Sequence, residues 1–256
     1  MRSLPLGNSL TSQAHLLGAA ELERGNSIPL VVQQLRDLIV TGKLSPGTWM
    51  IEAELAERLG VSRTPIRGAL QWLEREGFLV AVHSGSKSRT LVAPLTKEDS
   101  RELYGIIGHI EGIAARLTAQ LPDESRGEVV RRLAILNGGL NELTRARQPA
   151  ANRIFELDLE FHRTIVQASG GPRLMQLHRT TQLQAERYWR LYASAIMNKF
   201  GRSVREHRAI ITAIKIGDSD GAEAGSQANW RNGADRLARV IEALGERGSW
   251  PFGESP

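Results

Sequence analysis

The chain has 256 residues, a net charge of +5, 41% hydrophobic and 24% charged residues, and no cysteine. That apolar content supports a folded core, and at roughly 100–200 residues per domain the length suits one large domain or two modest ones. Without cysteine there are no disulfides, thiolate metal sites or cysteine nucleophiles, which suits a reducing, cytoplasmic setting.

No apolar run approaches the roughly 18–20 residues of a membrane span, and Glu21, Glu23 and Arg24 break the N-terminal stretch. Neither a signal peptide nor a membrane partner is expected. Residues 1–27 show no sustained period and read as a mobile arm. From 28 a helical spacing sets in, with Ile28, Val31, Val32, Leu35, Leu38 and Ile39, until Gly42 stops it. Ser45-Pro46-Gly47 is a turn signal. A second helix is expected over Glu52 to Leu59 and a third over Arg63 to Glu76, closed by Gly77. The period then changes to two. Phe78–Val82 and Arg89–Val92 read as short strands joined by a flexible loop from His83 to Ser88.

Beyond Pro94 the pattern is helical throughout. Thr96, with Asp99 three residues on, caps a helix to about Gln120. Others are expected from Pro122 to about Arg147, over 150–169 and over 173–199. Ser203 with Glu206 reads as a capping box opening 203–216, and Asp218 or Ser219 starts the last helix, to about Leu244. The fold class is therefore mainly α: an N-terminal winged helix-turn-helix over 28–93, an antiparallel six-helix bundle over 94–246, and an irregular tail over 247–256.

Two stretches carry chemistry. Within ELAERLGVSRTPIRGAL (54–70), Leu55, Ala56 and Leu59 form the inner face of a first helix, Gly60 permits the turn, and Ile66, Ala69, Leu70 and Leu73 face inward on a second. Arg63 and Arg67 fall on the opposite face at the N-terminal end, where a recognition helix meets base edges. Arginine can bond guanine bidentately, whereas Ser62 and Thr64 serve phosphates or a cap. The hairpin with His83, Gly85, Lys87 and Arg89 is then a wing against the backbone or minor groove. Residues 61–92 hold five basic and two acidic residues, consistent with a double-stranded DNA partner.

In ANRIFELDLEFHRTIVQAS (151–169), Asp158 and His162 share a helical stripe with Ile154, Phe161 and Ile165; His207 shares one with Val204, Ile211 and Ile214. Asn229 lies with Ser226, Gly233 and Leu237. Burying such groups is costly unless they pair or hold a ligand. Asp with two His suits Zn²⁺, Mn²⁺, Ni²⁺ or Fe²⁺, and equally suits a hydrogen-bonded cluster. Arg163, Arg187, Tyr188 and Arg190 are candidate polar groups of an effector pocket, while Trp189 and Trp230 read as core or dimer contacts. Glu206, preceding His207, should point away from its face.

The stretch from Pro29 to Leu79 resembles the N-terminal domain of GntR-family bacterial transcription regulators. The APLTKED junction and helical remainder resemble the FadR branch, with an FCD-type effector domain. The resemblance spans roughly 28–245 and implies a homodimer on a short palindromic operator, most simply a repressor, responding to a small metabolite, expected to bear a carboxylate. It places Arg63, Thr64, Arg67, His83 and a wing glycine near Gly85 at DNA-contact positions, while a further family Arg falls on Ala53. It also places Asp158, His162 and His207 at metal-ligand positions, with zinc the leading ion and Asn229 where the family has a fourth ligand, His. An effector-holding Arg one turn before Glu111 is replaced by Ile107. The alternatives are a metal-dependent helical-bundle enzyme with an accessory DNA-binding domain, or a DNA-architectural protein. The chain has no P-loop, no Gly-x-Ser-x-Gly elbow and no His-Glu-x-x-His, which disfavours the enzyme.

Overall fold

A computed structural model describes residues 27–84, 87–147, 150–196 and 200–248. The expected arm, Gly85 and most of the tail lie outside the described residues. The chain forms two compact units. Among the described residues, one comprises Ser27–Leu38 with Trp49–Val92; the other comprises Ile39–Thr48 with the described residues from Ala93 to Gly248.

In the first unit, α1 (Ser27–Val40), α2 (Glu52–Leu59) and α3 (Arg63–Arg75) precede a hairpin of β1 (Leu79–Ser84) and β2 (Lys87–Val92). The helical stripes find one another: Val31, Leu35, Ile66, Leu73 and Phe78 are fully buried. Gly60 ends α2 at φ +66, a left-handed conformation that lets the Val61 amide bond the Ala56 carbonyl and turns the chain into α3. The strands pair antiparallel from Leu79↔Val92 to Ser84↔Lys87. This corrects the expected six-residue loop. His83 and Ser88 lie opposite each other in the ladder, because alternation of backbone hydrogen bonds continues past the last apolar side chain.

The second unit is the six-helix bundle: α4 (Lys97–Ala119), α5 (Asp123–Arg145), α6 (Ala151–Ser169), α7 (Pro172–Ile196), α8 (Phe200–Ile216) and α9 (Ser219–Leu244). Thr96 caps α4 by accepting from the Asp99 amide, and Asp218 caps α9 through the Gly221 amide. The expected capping box at Ser203 is not formed. The helix already runs from Phe200, whose ring is buried, so Ser203 lies inside it and Glu206 is free for other partners. One apolar cluster centres on Ile107, Tyr188, Tyr192 and Leu237, a second on Leu133, Phe161, Ile165 and Ile214. Helices α4 and α9 run side by side at close range. A Cβ on Gly108 would come within 2.9 Å of the Trp230 Cβ, so the absence of a side chain there lets the backbones approach. No helix among the described residues is long and apolar enough to cross a membrane.

Candidate nucleic-acid interface and candidate metal centre

In the first unit, the pattern that buries Pro65, Ile66, Ala69, Leu70 and Leu73 turns Ser62, Arg63, Thr64 and Arg67 outward, and all four are exposed at the N-terminal end of α3. His83 and Arg89 are exposed on the hairpin, where Lys87 opens β2. Arg67 is not free. Its Nε and Nη2 donate to the two carboxylate oxygens of Glu52, at 3.1 and 2.9 Å. These hydrogen bonds, with the nearby Arg63 charge, hold the Glu52 carboxyl below its ordinary range.

In the second unit the three ionisable residues from the apolar stripes converge. One ligand atom from each of Asp158, His162 and His207 lies within 4.8 Å of the others. His207 is fully buried, stacked face to face on Phe161 at 3.9 Å, and neither of its ring nitrogens has a hydrogen-bond partner. Its Nε2 stands 3.6 Å from Asp158 Oδ1, too far for a hydrogen bond. Burial and the neighbouring His162 charge hold its pKa well below the usual histidine range. Burial lifts Asp158 to about 6.

Behind this trio is a carboxylate that the sequence reading used only as a landmark. Glu111 on α4 is fully buried and accepts from His162 Nδ1 at 2.5 Å, His178 Nε2 at 2.8 Å and Trp230 Nε1 at 2.7 Å. Burial alone would raise its pKa, but the two histidines outweigh that and bring it down to about 2. Conversely, burial opposes charge on His162, yet Glu111 lifts it to about 8. With Nδ1–H committed to Glu111, His162 has Nε2 left for the Asp158–His207 side, an arrangement in which an outer carboxylate fixes the tautomer of a ligating imidazole.

Asn229 is buried, and its amide nitrogen donates to Glu206 at 2.9 Å, leaving its carbonyl oxygen as the atom it could offer an ion. Glu206 also accepts from Asn232 and Arg236. The expectation that it points away from His207's face holds only in part: it turns toward α9 rather than to solvent, because α9 brings three donors to that edge.

Asp158, His162, Asn229 and Arg236 line a cavity open to solvent, walled by Tyr104, Phe155, Trp189 and Trp230. Trp189 Nε1 is buried without a partner. The four residues expected from the sequence at an effector pocket do not line this cavity. Arg187 donates to the Ala93 carbonyl, Tyr188 bonds Thr96 and Asp99, Arg190 is exposed against Glu186, and Arg163 bonds Gln182 beside a separate surface cleft. Arg187 and Tyr188 are buried because they satisfy the backbone where the chain enters α4.

The description "Bacterial regulatory proteins, gntR family" matches residues 30–87, and "FCD domain" matches 102–232, just over half of the chain. The chain belongs to the GntR family of regulators and carries an FCD domain. It is 29% identical over 217 residues to YdhC of Bacillus subtilis, a helix-turn-helix-type transcriptional regulator, covering 82% of this chain and 90% of that one. It is also 29% identical over 199 residues to the "Probable D-xylose utilization operon transcriptional repressor" of Paenarthrobacter nicotinovorans, covering 75% and 82%. Among solved structures, E. coli McbR/YncC shares the fold, with a TM-score of 0.60 at 20% identity, covering 85% of this chain and 98% of that one. This GntR-family protein is thus a DNA-binding transcription regulator and not an enzyme, and its FCD domain holds a His/Asp cluster of the kind that binds metal.

Proposed function

We propose that this regulator is a cytoplasmic, metabolite-responsive repressor. Its homodimer binds a pseudo-palindromic operator through Arg63 and Arg67, with Ser62, Thr64 and the wing residues His83, Gly85, Lys87 and Arg89 serving the backbone. A lone winged helix offers too few base contacts for operator-level discrimination, and two-fold dimers are the commonest closed assembly.

The observation that carries the sensing half is His207. A fully buried imidazole with two unpartnered nitrogens, facing a carboxylate and a second imidazole, costs free energy unless a cation joins them. The residues therefore fit a divalent ion, with zinc the leading candidate by ligand type and Mn²⁺, Ni²⁺ or Fe²⁺ next. Asp158, His162 and His207 would hold it, and Asn229 is the weak fourth donor. Such an ion would supply a Lewis-acidic grip for a carboxylate or hydroxyl oxygen. The chain supplies the remainder: Glu111 orients His162, aromatic side chains wall the cavity, and the unpartnered indole N–H of Trp189, one of the lining residues, favours a ligand with an acceptor. Binding alters DNA affinity only by the ligand's differential affinity for the two states of the dimer.

The test is operator binding by the metal-reconstituted protein across a panel of small carboxylates. One or more should shift the affinity, and His162→Ala should abolish that shift while leaving ligand-free DNA binding largely intact. No shift with any member, in protein that has taken up metal, would count against a carboxylate sensor.

A further inference from the structure

In this protein one edge of the Arg67 guanidinium is already taken. A guanidinium has two forked edges: a side edge formed by Nε–H and one Nη–H, and an end edge formed by one N–H from each Nη. Glu52 occupies the side edge through Nε and Nη2. What remains is the end edge, Nη1 with the second hydrogen of Nη2. Two parallel donors at that spacing match the O6 and N7 acceptors of guanine in the major groove.

The pair is built across the two helices of the motif. Glu52 is the first residue of α2, and Arg67 lies one turn inside α3. The Arg67 side chain stays 65% exposed despite the pairing, and that of Glu52 34%. An exposed ion pair of this kind adds little to stability, because solvent screens it. Its geometric effect is larger: a flexible arginine tethered at two atoms presents its free edge in one orientation and is less available to neighbouring phosphates.

We propose that Glu52 is a positioning residue for base reading. It holds Arg67 so that the end edge of the guanidinium reads a guanine, and it restrains the arginine from serving as a general phosphate anchor. This rests on the reading of Arg67 as a DNA contact. It also assigns a role to a residue that composition and helical spacing leave as an ordinary acidic helix start.

The experiment uses the full chain and an operator selected from random DNA with the wild-type protein. Each operator guanine is replaced in turn by 7-deazaguanine, which removes N7 and keeps pairing. Wild-type protein should lose about 5–150-fold in affinity at the guanine that Arg67 reads in each half-site. In Glu52→Gln and Glu52→Ala that penalty should fall to near parity, while penalties at other positions persist. Affinity for random duplex should rise, with a salt slope steeper by about 0.9 per half-site if the released guanidinium takes one phosphate. Retention of the full guanine penalty by both Glu52 variants would overturn the proposal and leave Glu52 as a helix brace. Arg67→Ala separates the two levels. If it leaves operator affinity unchanged, the DNA-contact reading fails and the proposal with it; if it removes the penalty while the Glu52 variants keep it, only the proposal fails.

Discussion

Glu111 and His162 show how a single buried carboxylate sets the chemistry of its neighbours. Glu111 receives three ring N–H donors, two from histidines and one from Trp230, so Glu111→Gln would turn an amide N–H₂ toward at least one of them. Losing an outer partner of a ligating histidine should weaken metal binding about 10–100-fold, readable by competition with a chromophoric chelator. The pH dependence follows from the same pair. His162, raised to about 8, must give up its Nε2 proton to ligate, and Asp158, raised to about 6, must be ionised. Metal affinity should therefore climb as pH rises from about 6 to about 8, by roughly tenfold per unit for each proton displaced, and level off above. Affinity independent of pH across that window would contradict the assignment. Asp158, His162 and His207 were legible in sequence because each interrupts an apolar stripe. His178 carried the same signal unnoticed: it continues backward, through Gln182 and Ala185, the stripe of Trp189, Tyr192 and Ile196, all of them buried.

At the level of elements, turn chemistry and capping were readable wherever one residue type decides the geometry. Gly60, Gly77, Thr96 and Asp218 stand where their local preferences put them. Gly60→Ala should cost about 1–2 kcal/mol through its left-handed φ. It should lower the thermal midpoint of the DNA-binding unit and leave metal uptake unchanged; an equal loss of metal would show that the two units do not unfold separately. The reading failed where tertiary packing overrides a local signal. Ser203 and Glu206 have capping-box spacing, yet the burial of Phe200 starts the helix a turn earlier, and Glu206 is claimed by Asn229, Asn232 and Arg236 of a helix distant in sequence. The arginines expected at an effector pocket do not line this cavity, for a related reason. Helical spacing orders residues around one helix and says nothing of which neighbouring backbone, such as the Ala93 carbonyl beside Arg187, will claim a side chain.

For the whole molecule, the proposed pseudo-palindromic operator calls for a two-fold dimer, so light scattering should give about twice the 28.2 kDa chain mass at micromolar concentration, free and on DNA. A monomer in both states would contradict it. Above all, Asp158, His162 and His207 are proposed to share a divalent ion beside the cavity of the FCD domain. Elemental analysis of metal-reconstituted, desalted protein tests it most directly, with wild type compared against His207→Ala and with folding of each verified by circular dichroism. Wild type should carry a stoichiometric ion, and the variant should lose it. Folded wild-type protein that takes up no stoichiometric ion would contradict it, and would leave these three residues as a buried polar cluster anchored on Glu111.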